Sequence, residues 1–422
     1  MTRWLSVLLL AFLVLPVSAT TPSARPEELG FSPDRLKRIT ELVQRHIDAR
    51  SFSGAVTLVA RQGRIGHFEA QGLMDIESKR PMQKDTIFQI MSMTKPVVGV
   101  SILMMMEEGK IRLTDPVSRF IPEFKQLQVA VPQPAPAGMR VTDGGPPRFY
   151  AVPADREITI RDLLSHTSGL MSGTISNYTA RGPAAVHARE QLADVVPRLA
   201  RTTLEFQPGT HWAYSATGGF DTLARVVEIT SGLPFDQFVK QRIFEPLGMK
   251  DTFFYPAEGN PRMVSIYSRT PEGQLAKRGN VDFMNGAYFS GGGGLFSTAE
   301  DYLQFGLMLM QGGQHNGKRL LAPRSIEMMA TIAAPDTLPG RTKGEGFGLS
   351  VRVVNDPMSR GTFLSEGTFG WSGAWGTHFW VDRKERVVAI ALIQTPNNEF
   401  RSDFENAVMQ SIVGPGVSTG SQ

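Results

Sequence analysis

Apolar residues at helical spacing first occur shortly after residue 30. They would share one face of a helix, and they are Leu36, Ile39, Val43 and Ile47. Ser32 is suited to cap this helix, and Pro33 is suited to its first position because the N–H that proline lacks has no helical partner there. The pattern predicts an opening helix that packs its apolar face on a sheet.

Two pairs of β-rich segments lie near opposite ends of the chain. The segments are residues 54–60 and 65–70 about a turn at 61–64, and residues 376–381 and 386–393 about a turn at 382–385. Runs of this composition on either side of a short polar turn are typical of β-hairpins. Because helical patterns lie between the two pairs, the sequence predicts an α+β fold with one antiparallel sheet built from both termini.

The region between the hairpins has mainly helical spacing. Phe220, Leu223, Val227 and Thr230 recur along one face until Gly232, and a second pattern follows Pro234. A capping box, Ser297-Thr298-Ala299-Glu300, would open a later helix. We expect one domain over residues 20–422, with an α/β part at about 20–85 and 285–415 and a helical insertion at about 86–284.

Residues 129–153 carry no clear period and are rich in proline and glycine. This composition indicates a long loop. The loop precedes a predicted helix start at residues 158–164, so it would either border the mouth of a cleft or be a disordered surface loop.

The N-terminus has the pattern of an export signal. Arg3 precedes an apolar run from Trp4 to Leu15, and Val17-Ser18-Ala19 places small residues at the expected cleavage position. We expect a signal peptide over residues 1–19 and a periplasmic or secreted product, with an uncleaved amphipathic anchor as the alternative. No later segment is long and apolar enough to span a membrane.

The amino-acid composition excludes several kinds of catalytic and binding site. The chain has no cysteine, which excludes disulfides, thiolate metal sites and a cysteine nucleophile. Its seven histidines are scattered without metal-binding spacing, so no metal is expected. The net charge of +4 is spread without basic runs, which argues against nucleic acid and favours small molecules with little charge as partners.

A Ser-x-x-Lys tetrapeptide, Ser92-Met93-Thr94-Lys95, begins an apolar helical stretch that continues to Met106. Helical spacing puts the hydroxyl and the ammonium on one face, and the N–H groups of the first turn favour negative charge developing there. Ser92 is therefore a candidate nucleophile, and Lys95 its base or electrostatic partner. The tetrapeptide alone is more typical of an ordinary helix start, with an N-terminal serine and a lysine that extends to solvent.

The surrounding residues carry a family resemblance. Residues 88–96, Phe-Gln-Ile-Met-Ser-Met-Thr-Lys-Pro, resemble the nucleophile region of serine β-lactamase-related enzymes, in particular class C β-lactamases and family VIII carboxylesterases. Leu113–Val117 and Ile158–Leu170 resemble further signatures of that family, in the family's order. The resemblance covers most of the chain and implies a β-lactamase/transpeptidase-like fold.

Two more site elements are implied by the resemblance. Tyr214 matches the family's catalytic tyrosine, which carries the proton of the serine to the leaving group. Gly370-Trp371-Ser372-Gly373-Ala374 resembles the Trp-x-Gly variant of the family's Lys-Thr-Gly strand. Gly373 would then let substrate approach the strand, and the N–H groups of Ala374 and Ser92 would form the oxyanion hole.

The sequence departs from the β-lactamase pattern at two places. Ala216 stands where these enzymes usually carry asparagine, and Trp371 stands where they carry lysine. In β-lactamases both of the replaced side chains bind polar groups of the substrate. Their absence here means that the resemblance favours ester hydrolysis over β-lactam hydrolysis. A β-lactamase, a D-amino-acid peptidase, an acyltransferase and a non-catalytic cell-wall-binding homologue remain alternatives, and none of the enzymes requires a cofactor.

Three other motifs have non-catalytic interpretations. Residues 291–294 are four glycines without the Gly-Lys-Ser/Thr of a phosphate loop, which predicts a tight turn or bulge beside the cleft. His166 is expected to be a buried structural histidine. The segment around Ser372 falls short of the Gly-x-Ser-x-Gly elbow, and the antiparallel pattern opposes an α/β-hydrolase fold.

Overall fold

The structure is a computed structural model that describes residues 21–134, 146–279 and 286–416. The predicted signal peptide and its cleavage site at Ala19 lie outside these residues, as does the centre of the proline- and glycine-rich segment. Both therefore stay predictions.

One eight-stranded antiparallel sheet organises the molecule, and the two ends of the chain supply its strands. In spatial order the strands are β13 (Glu345–Phe347), β14 (Arg352–Val354), β15 (Phe369–Ser372), β16 (His378–Asp382), β17 (Val387–Leu392), β1 (Gly54–Arg61), β2 (Arg64–Asp75) and β3 (Arg80–Pro81). The two predicted hairpins are β1–β2 and β16–β17, and they meet where Leu58 of β1 pairs with Ile390 of β17. The expected α+β fold with a sheet from both termini is confirmed.

Short strands form small accessory sheets. They are β4 (Phe88–Gln89) with β10 (Phe296–Ser297), β5 (Gln128–Pro132) with β6 (Phe149–Pro153) and β7 (Thr203–Leu204), β8 (Tyr267–Arg269) with β9 (Leu275–Lys277), and β11 (Gln314–His315) with β12 (Lys318–Arg319). The β5–β6 pair corrects the expectation of a loop over residues 129–153, because both ends of that segment are strand. Alternation of Val129, Val131 and Val152 was a strand signal that the surrounding prolines concealed.

Twelve helices accompany the sheet in the part of the chain that is described. They are α1 (Pro33–Asp48), α2 (Thr94–Glu107), α3 (Ile160–Leu164), α4 (Thr174–Ala180), α5 (Leu192–Leu199), α6 (Gly218–Ser231), α7 (Phe235–Val239), α8 (Glu245–Leu247), α9 (Ala299–Met310), α10 (Pro323–Ala330), α11 (Pro357–Arg360) and α12 (Asn398–Gln410). Ser32 caps α1 by accepting from the N–H of Arg35, as predicted. The cap of α9 is Thr298 and not Ser297, because the Thr298 hydroxyl accepts from the N–H of Asp301.

Both faces of the sheet are covered. Helices α1 and α12 bury one face, where Phe400 and Phe404 of α12 pack in a core that includes Trp380. Helix α9 packs on the other face, where Tyr302 contacts Phe379 with ring centroids 4.8 Å apart. Strands β1, β16 and β17 are consequently buried along their whole length, which explains their nearly unbroken apolar runs.

Candidate active site

Ser92 lies in a single 3₁₀ turn, Met91–Met93, that leads directly into α2. Helix α2 is apolar on nearly every side and is buried over most of its length. Its packing in the core therefore holds the serine turn in place. Met91 has a positive φ of 49°, a conformation that is uncommon for a residue with a side chain. Ser92 is only 9% exposed and thus lies almost buried where this rigid element begins.

Lys95 lies one turn further along and is fully buried. Its Nζ donates to Ser92 Oγ at 3.1 Å, to the carbonyl of Ala216 at 2.6 Å and to the carbonyl of Gly292 at 2.7 Å. These three acceptors match the three donors of an ammonium group. Nζ also lies 4.9 Å from the centre of the Tyr214 ring, so cation–π attraction adds to the hydrogen bonds.

Tyr214 lies on the loop before α6, and its hydroxyl donates to Ser92 Oγ at 2.6 Å. The loop is held by His166, whose Nδ1 accepts from the N–H of Ser215 at 3.1 Å. The structure thus brings together Ser92, Lys95 and Tyr214, the three residues that the sequence selected, with both partners in hydrogen-bond range of the serine oxygen.

His166 has the surroundings of a structural residue. It is 1% exposed and lies among the rings of Tyr214, Phe220 and Phe347. Burial, together with the nearby charges of Lys95 and Arg341, holds the pKa of His166 well below its usual range. It is therefore neutral at physiological pH, and it supports the tyrosine loop through Ser215.

Strand β15 borders the same centre. The ring of Trp371 lies 5.5 Å from that of Tyr214 and 5.1 Å from that of Phe347. Its Nε1 has no hydrogen-bond partner among the described residues, so the half-buried indole offers mainly apolar surface.

The end of β15 lies against the serine turn. A Cβ on Gly373 would come within 2.3 Å of the carbonyl oxygen of Ile90, so glycine is required there by the chain next to Ser92. The expected role of this glycine in the approach of substrate stays a prediction. Ala374 follows in an exposed turn, and its N–H stays a predicted oxyanion donor together with that of Ser92.

Sequence reasoning missed several groups around the centre. The backbone carbonyls of Ala216 and Gly292 carry no side-chain signal, although the four glycines at 291–294 marked the second of them as unusual. Ser372 and His378 are joined at 2.8 Å by a hydrogen bond on β15 and β16. Nη1 of Arg401, on α12, lies 3.5 Å from Ser372 Oγ.

The residues that the structure describes lack both a metal-binding cluster and a membrane-spanning helix. Among these residues no group of three or more histidine, aspartate or glutamate side chains could hold a metal ion. No helix among them has the length and apolar character needed to cross a membrane.

An α+β fold with Ser92 and Lys95 on a buried helix beside one antiparallel sheet has the architecture of a β-lactamase/transpeptidase-like serine enzyme. The family model described as Beta-lactamase matches residues 39–413, and the chain belongs to that family. The protein is a serine hydrolase, close to the esterases of the family.

Individual relatives extend this result. Protein Rv1367c of Mycobacterium tuberculosis is 34% identical, over 82% of this chain and 87% of its own length. Esterase EstB of Burkholderia gladioli is 32% identical, over 85% of this chain and 90% of its own. Among solved structures, EstCE1, a hydrolase with promiscuous acyltransferase activity, is 26% identical with a TM-score of 0.73 and covers 90% of this chain and 99% of its own.

Proposed function

We propose that this protein hydrolyses carboxylic esters of small molecules through an acyl-enzyme on Ser92. The observation that carries the proposal is the pair of contacts at Ser92 Oγ, 2.6 Å from the Tyr214 hydroxyl and 3.1 Å from Lys95 Nζ. A nucleophile flanked by a proton carrier and a buried cation is the arrangement that covalent catalysis at a serine needs.

Acylation would begin with attack of Ser92 Oγ on the ester carbonyl carbon. The Tyr214 and Lys95 pair acts with one proton removed, so that it can take the proton of the serine, and the tyrosine then delivers that proton to the leaving alcohol as the C–O bond of the ester breaks. The developing oxyanion would rest on the N–H groups of Ser92 and Ala374. Water then attacks the acyl carbon, releasing the carboxylic acid and restoring the serine hydroxyl.

Preference for esters is supported by the walls of the site. Trp371 presents an apolar ring beside Tyr214, and Ala216 contributes only its carbonyl, which is used by Lys95. A planar apolar wall suits an acyl or alkoxy group. The similarity to Esterase EstB supports the same reaction class.

Acyl transfer differs from hydrolysis only in what attacks the acyl-enzyme. The similarity to EstCE1, described as a hydrolase with promiscuous acyltransferase activity, gives a reason to measure it. A primary alcohol added during turnover would compete with water for the acyl-enzyme. If the alcohol attacks as readily as water, part of the product will be a new ester and not the carboxylic acid.

Cleavage of substrates that carry a carboxylate is a second candidate, and Arg401 favours it. Its guanidinium lies 3.5 Å from Ser372 Oγ on the strand that borders the site, and its buried Nε has no partner among the described residues. Such a cation would attract the carboxylate of a β-lactam or of a D-alanyl peptide.

The deciding experiment measures kcat/KM for p-nitrophenyl butyrate, a chromogenic cephalosporin and a D-alanyl-D-alanine peptide, together with covalent labelling by a fluorophosphonate. We expect labelling of Ser92 and the highest kcat/KM for the ester. Absence of both labelling and ester turnover would leave a ligand-binding homologue as the remaining reading, and a preference for the cephalosporin or peptide would favour the second candidate.

A further inference from the structure

A buried carboxylate close to the centre has no place in the mechanism described so far. Asp221, in the first turn of α6, is 3% exposed. Its carboxylate accepts hydrogen bonds from the Tyr288 hydroxyl at 2.8 Å, the Ser290 hydroxyl at 2.7 Å and the N–H of Gly292 at 2.9 Å. Burial raises the pKa of Asp221, whereas the three hydrogen bonds and the charge of Lys95 oppose that rise and favour the ionised carboxylate.

Gly292 connects this carboxylate to Lys95. Its N–H donates to Asp221, and its carbonyl accepts from Lys95 Nζ at 2.7 Å. The two buried charges are therefore joined through a single residue of backbone. No salt bridge links Lys95 to a carboxylate in the described part of the chain, so the link to Asp221 is indirect.

The glycines at 291 and 292 are what allow this approach. A Cβ on Gly291 would lie 2.4 Å from the carbonyl oxygen of Phe220, and one on Gly292 would lie 2.7 Å from the Cα of Thr217. Any side chain at either position would push the segment away from the start of α6. The two glycines of the predicted tight turn therefore allow the backbone of Gly292 to fit between Asp221 and Lys95.

We infer that Asp221 is a positioning residue that supplies the counter-charge for Lys95 and fixes the Gly292 carbonyl on which the ammonium rests. Its effect on catalysis rests on the proposed function, whereas its pairing with Lys95 does not. A fully buried ammonium without a nearby anion is costly, because desolvation is then offset only by neutral acceptors. With Asp221 in place, the Lys95 ammonium has a counter-charge one residue of backbone away while its third N–H points at Ser92.

The kinetic test compares Asp221→Asn with Asp301→Asn. The asparagine keeps the shape and most hydrogen bonds of Asp221 but removes the charge. Asp301 is a matched control, since it is also buried and accepts from the N–H of Asp251 and the Thr252 hydroxyl, and none of its hydrogen bonds within the described ranges reaches the catalytic centre. We expect Asp221→Asn to lower kcat about 10- to 100-fold with KM changed less than about twofold, and Asp301→Asn to change neither by more than about twofold.

A thermodynamic test does not depend on the reaction. Lys95→Met, Asp221→Asn and the double variant are compared by thermal unfolding. If the two charges compensate each other, each single change leaves one buried charge without its counter-charge. The Tm of the double variant should then be higher than the Tm expected from adding the shifts of the two single variants. If Asp221→Asn alone does not fold, recovery of folded protein in the double variant is the corresponding result.

The outcomes separate the inference from the proposed function. Non-additive Tm shifts in a protein without esterase activity would overturn the proposed function and keep the pairing. Ester turnover with additive Tm shifts, and with equal kcat in Asp221→Asn and Asp301→Asn, would overturn the inference alone. Loss of kcat with additive Tm shifts would also count against it, because Asp221 would then act by shape and not by charge.

Discussion

Two polar clusters, each built around a serine, lie on or beside the same sheet. They differ in how their buried charges are paired. In the cluster at Ser92, the cation Lys95 rests on two backbone carbonyls and is linked to the buried carboxylate of Asp221 only through Gly292. In the cluster at Ser372, the serine hydroxyl is joined to His378 at 2.8 Å, and His378 to the carboxylate of Glu405 at 2.9 Å. Arg352 completes this second cluster with an ion pair to Glu405 at 2.7 Å.

The second cluster has the hydrogen-bond order of a hydrolytic triad but the environment of a structural network. Because ionised Glu405 can only accept, His378 donates from Nε2, and its Nδ1 accepts a hydrogen bond from the Ser372 hydroxyl. Burial opposes ionisation of Glu405, yet the charge of Arg352 and the hydrogen bond from His378 hold its pKa well below the usual range. Direct ion pairing with Arg352 satisfies the charge of Glu405 inside this cluster, whereas the first cluster directs an N–H of Lys95 outward to the serine.

The largest difference should appear when each serine is removed. Ser92→Ala should abolish ester turnover and fluorophosphonate labelling, a loss of about 10⁵-fold or more, because it removes the bond-forming atom. Ser372→Ala, the matched control, should retain labelling at Ser92 and turnover within about tenfold. Peptide mapping of the labelled protein locates the modified residue. A label on Ser372 in the Ser92→Ala variant would mean that the second cluster is a nucleophilic centre.

The next largest effect concerns the partners of Ser92. Lys95→Ala and Tyr214→Phe should each lower kcat by about 10²- to 10⁴-fold, and the double variant should lose little more than the worse single one, because the three groups act as a unit. Steady-state kinetics with p-nitrophenyl butyrate measure this. Near-normal kcat in either single variant would make that residue structural, and fully additive losses would argue against a shared proton path.

Much of this first cluster was predictable, because local sequence carries it. Ser92 and Lys95 share a tetrapeptide, and an apolar helix follows it, so spacing alone puts them on one face. Tyr214 lies far along the chain, and nothing local distinguishes it from an ordinary loop tyrosine. Only the family resemblance selected it, and the 2.6 Å contact then agreed with the choice.

The second cluster and the Asp221 link were not predictable by the same means. Ser372, His378 and Glu405 meet through strand register and the docking of α12, which are long-range events without a local pattern. Gly292 acts through backbone atoms that every residue possesses. The main sheet was predictable from its two hairpins. Strands β5 and β6 were missed because prolines interrupt their pattern, and the cap of α9 is one residue away from its predicted position.

Acid should destabilise the second cluster. Burial lowers the pKa of His378 to about 4, despite the opposing influence of Glu405, and the unfolded side chain titrates near 6.5. Between these values the unfolded state binds more protons, so stability is complete above pH ~6.5 and is lost as pH falls toward ~4, by up to about 3 kcal/mol. Urea unfolding at several pH values measures the slope.

His378→Gln provides the control for this slope. Glutamine can keep hydrogen bonds to Ser372 and Glu405 without titrating, so the variant should lose up to about 1.4 kcal/mol per pH unit of acid sensitivity. His67 and His315, whose pKa values burial also lowers to about 4, should account for part of the slope that remains. An unchanged slope in His378→Gln would show that His378 is already protonated in the folded protein.

The smallest effect expected is on specificity, and it tests whether the wall of the first cluster selects esters. A β-lactam carries a carboxylate beside the ring to be opened, and Trp371 offers it apolar surface against the rings of Tyr214 and Phe347. A hydrogen bond to a charged group is worth roughly 1.5–3 kcal/mol, so Trp371→Lys should raise kcat/KM for a chromogenic cephalosporin about 10- to 100-fold relative to p-nitrophenyl butyrate. Arg401→Ala is the companion variant, because Arg401 is the cation already placed beside Ser372. If the unaltered protein cleaves the cephalosporin as efficiently as the ester, and Arg401→Ala removes only the cephalosporin activity, then Arg401 and not residue 371 decides the substrate.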